Sequence, residues 1–424
     1  MKLTKLRRLL RDDYVYTIGT KIAIAAIGLI ASAFDKRFFG PAIVGEVGYI
    51  DSILVVVAVT SNLGIYQPFP YYKRQLGDAA LDKFLDIFML QYLCYQALGL
   101  VILLVYHNFV AAAICLIAPL QVFANQLSFA LMVEHVRYKN KVFFTARLIN
   151  TAFIIFAYFF LRPVIALSLA MIVIGDVVTI VLALRRFGRT GNPLKADFAF
   201  LRKILPFSLV AMVTTLLLTL NYRMDEMMLK WLGVDAVHRG YYRTGISFAA
   251  YGWLIPEAFR EVLSARTAKA DAIEDVTRSL KYNFYITVVI LAGIALVGKY
   301  VIWLFFGEEY LPAYPITVIL LTGVLSMSYF KIIGTLYLAQ GRKWMYMLSL
   351  LTSAIVNVIA NCFAIPRFGI YGTAWASVLS YTIAGFVFLA HYARTYRIPA
   401  RDLFLFRREE IRALTGRKKD QSNA

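Results

Sequence analysis

Twelve apolar runs, each about as long as a bilayer is thick, follow one another along the 424 residues and leave no room for a large water-facing domain. A helix needs about 20 apolar residues to cross the hydrocarbon core. The runs fall at 14–34, 42–66, 84–106, 109–133, 142–161, 163–185, 201–222, 239–257, 282–306, 314–338, 344–365 and 369–393. With 60% hydrophobic residues and only 17% charged, the chain has too little polar surface for a water-facing fold. In lipid every backbone amide must be bonded within its own segment or to its neighbours, so runs of this length read as helices. The expected fold class is an all-α polytopic membrane protein.

The net charge is +20, which in a soluble chain would suggest nucleic acid. Here the basic residues lie between the apolar runs, and no nucleic-acid partner is expected. With the N-terminus placed in the cytoplasm, and with basic residues near the ends of runs, Arg147 and Lys299 included, counted to the adjoining face, 34 of the 45 Lys and Arg residues go to the cytoplasmic side and 8 to the other, leaving Lys21, Arg243 and Lys331 inside runs. This asymmetry is the positive-inside pattern. It implies an even number of spans with both ends cytoplasmic. The basic start followed by Ala31-Ser32-Ala33 mimics a cleavable leader. Asp12, Asp13 and Lys21 interrupt that pattern, and the first run reads as a retained span.

The longest polar connection, Arg185 to Lys203, carries Gly188, Gly191, Asn192 and Pro193 and follows the sixth run. The expected organisation is a cytoplasmic start at 1–13, a six-helix bundle at 14–185, a linker at 186–200, a second six-helix bundle at 201–393 and a basic cytoplasmic tail at 394–424. A short repeat supports two halves. Gly48-Tyr49-Ile50-Asp51 precedes Arg74 by 26 residues from Gly48, and Gly240-Tyr241-Tyr242-Arg243 precedes Arg266 by 26 residues from Gly240. Both stretches are the second run of their half, which suggests a parallel repeat about an axis along the membrane normal. The match also suggests that Asp51 and Arg243 face each other.

The series Phe39-Gly40-Pro41, Gly48-Tyr49, Ser61-Asn62-Leu63-Gly64 and Lys73-Arg74 resembles the second helix of Wzx-type polysaccharide flippases, members of the superfamily of multidrug, oligosaccharidyl-lipid and polysaccharide (MOP) exporters. Asn221-Tyr222-Arg223-Met224-Asp225 through Gly240-Tyr241-Tyr242 resembles the seventh and eighth helices of that family, as does Leu254-Ile255-Pro256-Glu257-Ala258. Phe306-Gly307-Glu308-Glu309-Tyr310 is similar to its loop before helix ten. Ala339-Gln340-Gly341-Arg342, Asn357, Asn361 and Phe368-Gly369-Ile370-Tyr371-Gly372 to Ala376 are similar to its last hairpin. The resemblance implies a twelve-helix, MATE-like pair of bundles. It also implies translocation of a polyprenyl-diphosphate-linked oligosaccharide by alternating access, for O-antigen, capsule or exopolysaccharide synthesis.

The charges inside the runs fit that function. A charged side chain at the bilayer centre costs roughly 2.5–3.5 kcal/mol on insertion scales and is retained where it meets a cavity or a partner. The candidate cationic cavity comprises Lys21, Arg147, Arg223, Arg243 and Lys331, suited to a diphosphate. Asp51, Asp176 and Asp225 are candidates for coupling to H+ or Na+. Structural readings stand beside these. Arg147, Lys21 and Arg243 can snorkel to the interface. Arg223 and Asp225 can pair with each other, and Asp176 can bond a neighbouring helix. Tyr71, Tyr72, Trp231, Trp253 and Trp303 fit aromatic belts at the interfaces.

The three cysteines and four histidines are scattered, so neither a metal site nor a disulfide framework is indicated, and no cofactor is expected. A sugar polymerase or ligase would need a large outside loop with catalytic residues, and the outside connections are short; a lipid-phosphate glycosyltransferase would want acidic residues early in the first outside loop, where Asp35 stands alone. A multidrug or cation antiporter of the same superfamily is the other transport reading; it would favour acidic rather than basic residues in the spans. Expected partners are the lipid-linked substrate, membrane lipids, especially at the basic stretch Arg407 to Lys419, and other polysaccharide-assembly proteins.

Overall fold

The computed structural model describes residues 13–267 and 273–405, and among these every regular element is helical. The helices are α1 (Asp13–Ser61), α2 (Phe69–Leu76), α3 (Ala79–Val105), α4 (Phe109–Glu134), α5 (Val136–Phe160), α6 (Ile165–Phe187), α7 (Phe198–Trp231), α8 (Ala236–Ala249), α9 (Leu254–Thr267), α10 (Ile273–Phe306), α11 (Ala313–Ala339), α12 (Lys343–Thr395) and α13 (Ala400–Phe404). Among the described residues nine are long and apolar enough to cross a membrane. The expected runs are recovered once the kinks are counted. α1 holds the first two runs, separated at Gly40, whose φ of 68° only glycine adopts freely, and at Pro41, which lacks the N–H to continue the ladder. α12 holds the last two, separated at Gly369 with φ 53°, three residues after Pro366. The stretch Arg407 to Lys419 lies outside the described residues.

Two expectations need correction. The run at 239–257 is not one helix. It breaks into α8 and α9 around a 3-10 turn at Ala250–Trp253. Pro256 cannot donate to the carbonyl of Gly252, which removes the bond an α-helix would need there. The residues from Arg223 to Trp231, read from the sequence as connection, are the last turns of α7. Met227, Met228 and Leu229 are buried there, and their packing extends the helix past the apolar run.

The chain forms two compact units, one running to Arg243 and taking in Trp303–Tyr310, the other comprising Thr244–Ile302 and the chain from Leu311 on. In the first unit, α7 packs along α1, which also contacts α4, α5 and α6. One end of this unit is an aromatic core. Phe84 meets Phe69 at 5.2 Å and Phe200 at 5.5 Å, and Phe200 meets Tyr72 at 4.9 Å, edge to face. Tyr72 is therefore a core residue rather than a belt residue, whereas Tyr71 is 60% exposed.

The stretch 186–200 is docked against the start of α3. Arg189 pairs with Asp82 at 2.5 Å, the Asn192 amide donates to Asp86 at 2.6 Å, and Lys83 pairs with Asp197 at 2.6 Å. Asp197 also caps α7 by accepting from Phe200 N. The hydrogen bond from Lys83, then that from Phe200, holds its carboxyl below the usual carboxylate range.

In the second unit, α11 is the buried centre. Its Ser328 accepts from Asn283 of α10 at 2.7 Å, Ser326 lies 3.2 Å from Thr382 of α12, and Tyr337 meets His391 at 2.6 Å. Small residues bring α11 and α12 together, since a Cβ at Gly385 would collide with the Ser326 carbonyl.

The same device joins α1 to α8 in the first unit. A Cβ at Gly45 would collide with the Ala236 carbonyl, and one at Gly240 with the Pro41 carbonyl. Gly45→Ala is expected to destabilise the purified protein by about 1–3 kcal/mol, as overpacking does. Gly293→Ala, at a helical glycine with open space around it, is expected to be neutral or stabilising. Thermal unfolding in detergent reads both.

Candidate functional site

The second arm of α1 carries two acidic residues little more than one turn apart, Glu46 and Asp51, and each meets basic side chains of α7 and α8 within the first unit. Asp51 Oδ2 accepts from Arg243 Nη2 at 2.6 Å and from Arg223 Nη1 at 3.0 Å. Arg243 Nη1 donates to both oxygens of Glu226 at 2.8 Å, and Glu226 lies 4.0 Å from Arg223 along α7. Glu46 Oε1 accepts from Arg239 Nη2 at 2.6 Å and Lys230 Nζ at 2.9 Å. The spacing explains the layers: residues four apart on a helix share a face, and 226 and 230 on α7 and 239 and 243 on α8 are each four apart. The Glu226 and Arg239 side chains are 6% and 4% exposed, so these pairs are shielded from solvent within the protein.

Glycines admit the charges. Gly48 faces the side chains of Glu226 and Arg243, which occupy the space a Cβ would take. The two stretches matched in the sequence, Gly48 to Asp51 and Gly240 to Arg243, are therefore in direct contact. Asp51 and Arg243 face each other, as that match suggested.

A further cationic group lies beside this pair. Asp35 is within electrostatic reach of Lys36, Arg243 and Arg147. Lys36 is 4% exposed, donates to Ser32 Oγ at 2.9 Å and lies 5.0 Å from the Phe306 ring. Its neighbour Arg37 donates to the carbonyls of Leu304 at 2.6 Å and Phe305 at 3.0 Å, and Tyr310 donates to the Lys36 carbonyl at 3.1 Å. These bonds tie Trp303–Tyr310 to the first unit. The Arg147 guanidinium lies against the backbone of Gly28, and its Nε is buried without a hydrogen-bond partner.

The other sequence candidates separate. Arg223 does not pair with Asp225, because the two project from different faces of α7; Arg223 meets Asp51, while Asp225 accepts from Tyr242 at 2.8 Å. Asp176 stands apart on α6, and its Oδ2 is buried without a partner. Lys331 belongs to the second unit, where it pairs with Glu257, lies 4.4 Å from the Trp253 ring, and shares Glu257 with Arg260. Trp253 is thus engaged with Lys331 and, at 6.0 Å, with Tyr381, rather than belonging to an interface belt. Trp231 and Trp303 are more than half exposed, which suits a lipid-facing belt. Lys21 lies on α1, and its side chain falls outside the described residues.

Sequence reasoning missed Lys36, Glu46, Glu226, Arg239 and Glu257. Glu226 is the informative omission. Its place three residues after Arg223 was a usable signal only if the helix continued past residue 222. With Glu226 and Asp51 opposite Arg223 and Arg243, and Glu257 opposite Lys331, three of the cationic candidates have carboxylate partners. Among the described candidates that leaves Arg147, within electrostatic reach of Asp35.

Neither the models of known protein families nor the curated protein sequences give a match to the chain. Solved structures do. The lipid II flippase MurJ in an inward closed conformation superposes with a TM-score of 0.71 at 12% identity, covering 92% of this chain and 89% of that one. An inward-facing multidrug resistance MATE transporter of the MOP superfamily superposes with a TM-score of 0.66 at 12% identity, covering 89% and 96%. The chain shares its fold with these two proteins. A further MOP superfamily transporter, from Pyrococcus furiosus and described as having a binding pocket of reversed polarity, gives 0.62 at 15% identity over 92% and 97% of the two chains.

Breaking one partner out of a buried ion pair leaves the other charge uncompensated, typically at 3–5 kcal/mol. Asp51→Ala is expected to destabilise the protein by roughly 3 kcal/mol, the lower end of that range, because Arg223 and Arg243 keep 29% and 22% of their side-chain surface exposed. Asp51→Ala combined with Arg243→Met should lose less than the two single changes added together, a coupling that a double-mutant cycle of unfolding temperatures measures.

Proposed function

We propose that this protein flips a polyprenyl-diphosphate-linked oligosaccharide from the cytoplasmic to the outer leaflet of a bacterial inner membrane by alternating access. The material would serve O-antigen, capsule or exopolysaccharide synthesis, and the protein would do no covalent chemistry. The observation that carries the reading is the arginine–carboxylate network that joins Asp51, Arg223 and Glu226 of two membrane-length helices to Arg243 of the short α8, in a fold shared with a lipid II flippase.

A diphosphate offers the same planar pairs of oxygens that Asp51 and Glu226 present. Guanidinium groups bind carboxylate and phosphate with similar two-pronged geometry. The substrate would therefore take over Arg223 and Arg243 from their protein partners, so that binding itself unlatches α1 from α7 and α8. Lys36 and Arg147 would add positive potential beside the same place. Polar glycan hydroxyls cannot cross hydrocarbon without partners, so the sugar would travel along the protein while the lipid tail stays in the bilayer. A membrane potential contributes about 2.3 kcal/mol per charge for each 100 mV, in the sense that drives an anion outward.

Coupling to H+ or Na+ is part of the proposal. Asp51 and Asp225 already accept hydrogen bonds from strong donors. Asp176, with a partnerless buried oxygen, is the carboxylate with capacity left for an ion, and its replacement by Asn should remove any stimulation by an ion gradient.

Both termini are proposed to be cytoplasmic. Green fluorescent protein fused after Ala424 is expected to fluoresce, and alkaline phosphatase fused there to be inactive. The decisive assay uses proteoliposomes with a labelled polyprenyl-diphosphate sugar, with and without H+ and Na+ gradients. Wild-type protein should move the lipid between leaflets, and Arg243→Ala should slow it at least about tenfold. If no lipid-linked sugar moves but a cationic dye is expelled, the antiporter reading replaces this one.

A further inference from the structure

Within the first unit, a cavity of about 290 Å³ lies where the end of α1 meets α4, α5 and α7, lined among others by Asn62, Tyr66, Asn125, Ser128, Phe129 and Lys139. Ligand sites begin near 300 Å³, so this one holds a single small group. Three of its polar side chains, Asn62, Asn125 and Ser128, have hydrogen-bonding capacity left among the described residues. Ser128 is about nine-tenths buried, yet its hydroxyl makes no hydrogen bond among the described residues. The usual behaviour of a helical hydroxyl is to bond the carbonyl four residues back, and Thr60 on α1 and Thr214, Thr215 and Thr219 on α7 all do so.

Asn62, 4% exposed, accepts from Gln126 Nε2 at 3.1 Å through its oxygen, which leaves its amide nitrogen unused. Gln126 also donates to Gln91 at 2.6 Å, so the Asn62 amide is held in one orientation. Asn125 makes no side-chain hydrogen bond among the described residues and is exposed toward the cavity. Beside these donors and acceptors stand two rings, Tyr66 and Phe129, with centroids 4.7 Å apart at 59°. One held amide, a second exposed amide, a free hydroxyl and an aromatic wall suit a pyranose ring, with partners for its hydroxyls and an apolar face for its C–H groups.

The position matches the charge cluster. Ala58 to Asn62 lie seven to eleven residues past Asp51 on α1, roughly 10–16 Å along the helix. Thr215 and Met212 lie eight to eleven residues before Arg223 on α7, roughly 12–16 Å away. α1 and α7 thus connect the two places, with Asp51 and Arg223 at one level and the cavity at another.

We propose that this cavity is a sugar subsite, holding one hydroxyl-rich ring of the glycan through Asn62, Asn125 and Ser128 while the diphosphate occupies Arg223 and Arg243. The proposal rests on the flippase reading and adds to it a place on the chain where glycan identity is sensed.

The test uses full-length protein in lipid nanodiscs and measures binding of four probes. These are farnesyl diphosphate without sugar, and farnesyl diphosphate carrying glucose, galactose or N-acetylglucosamine. At least one sugar-bearing probe should bind about tenfold or more tightly than the bare lipid. In the double variant Asn125→Leu with Ser128→Val, the affinity ratio between that probe and the bare lipid should fall toward one. Asn125→Leu alone, at an exposed position that the fold tolerates, should lower the ratio in part and serves if the double variant does not fold. Equal affinity for all four probes in the wild type, or an unchanged ratio in the variants, overturns the sugar subsite and leaves the flippase reading standing. Failure of the wild type to bind even the bare diphosphate lipid overturns the flippase reading, and the subsite with it.

Discussion

The close approach of α1 to α8 is the contact on which the charged layers depend. Gly45 and Gly240 let the two backbones come nearer than any side chain permits. At that separation the short carboxylate of Asp51 reaches the Arg243 guanidinium directly, and Glu46 reaches Arg239. With a methyl group at either glycine the helices would stand apart, and the charges would lose partners. Backbone packing and electrostatics are therefore one constraint here.

The architecture was largely legible because the bilayer imposes a length on apolar runs. Eleven of the twelve runs reappear as membrane-length helical segments, and Gly40-Pro41 and Gly369 divide the two longest helices close to where the sequence divided them. The errors have physical causes. The end of α7 was hidden because residues 223–231 mix charge with methionine, and only tertiary burial of Met227, Met228 and Leu229 shows why the helix continues. The break at Ala250–Trp253 lay in an apolar stretch whose Pro256 acts four residues upstream, at Gly252.

The candidate site was legible as a set of charges and not as a set of pairs. Asp51, Arg223 and Arg243 stood out because each lies in or at the end of an apolar run. Their common partner Glu226 did not, and Glu46 and Arg239 sat among residues that read as ordinary helix ends. Pairing depends on which faces of three helices meet, and no spacing within one helix encodes that. Asp176 is the opposite case, conspicuous in sequence and solitary in the structure. The docked stretch 186–200 shows a related limit, since turn-forming residues mark where a helix stops but do not reveal that Arg189 and Asn192 are pinned to α3.

Gly28 has a bearing that charge alone would conceal. The Arg147 guanidinium rests on the backbone there, in the space any side chain would fill. A residue with no functional group thereby aims a cation, and replacing it would redirect the local field without altering the net charge or removing any hydrogen-bonding side chain. A survey confined to ionisable positions would record the site as intact. The address of the positive charge is written partly in an omission, and neutral drift at that position would be neutral in composition only.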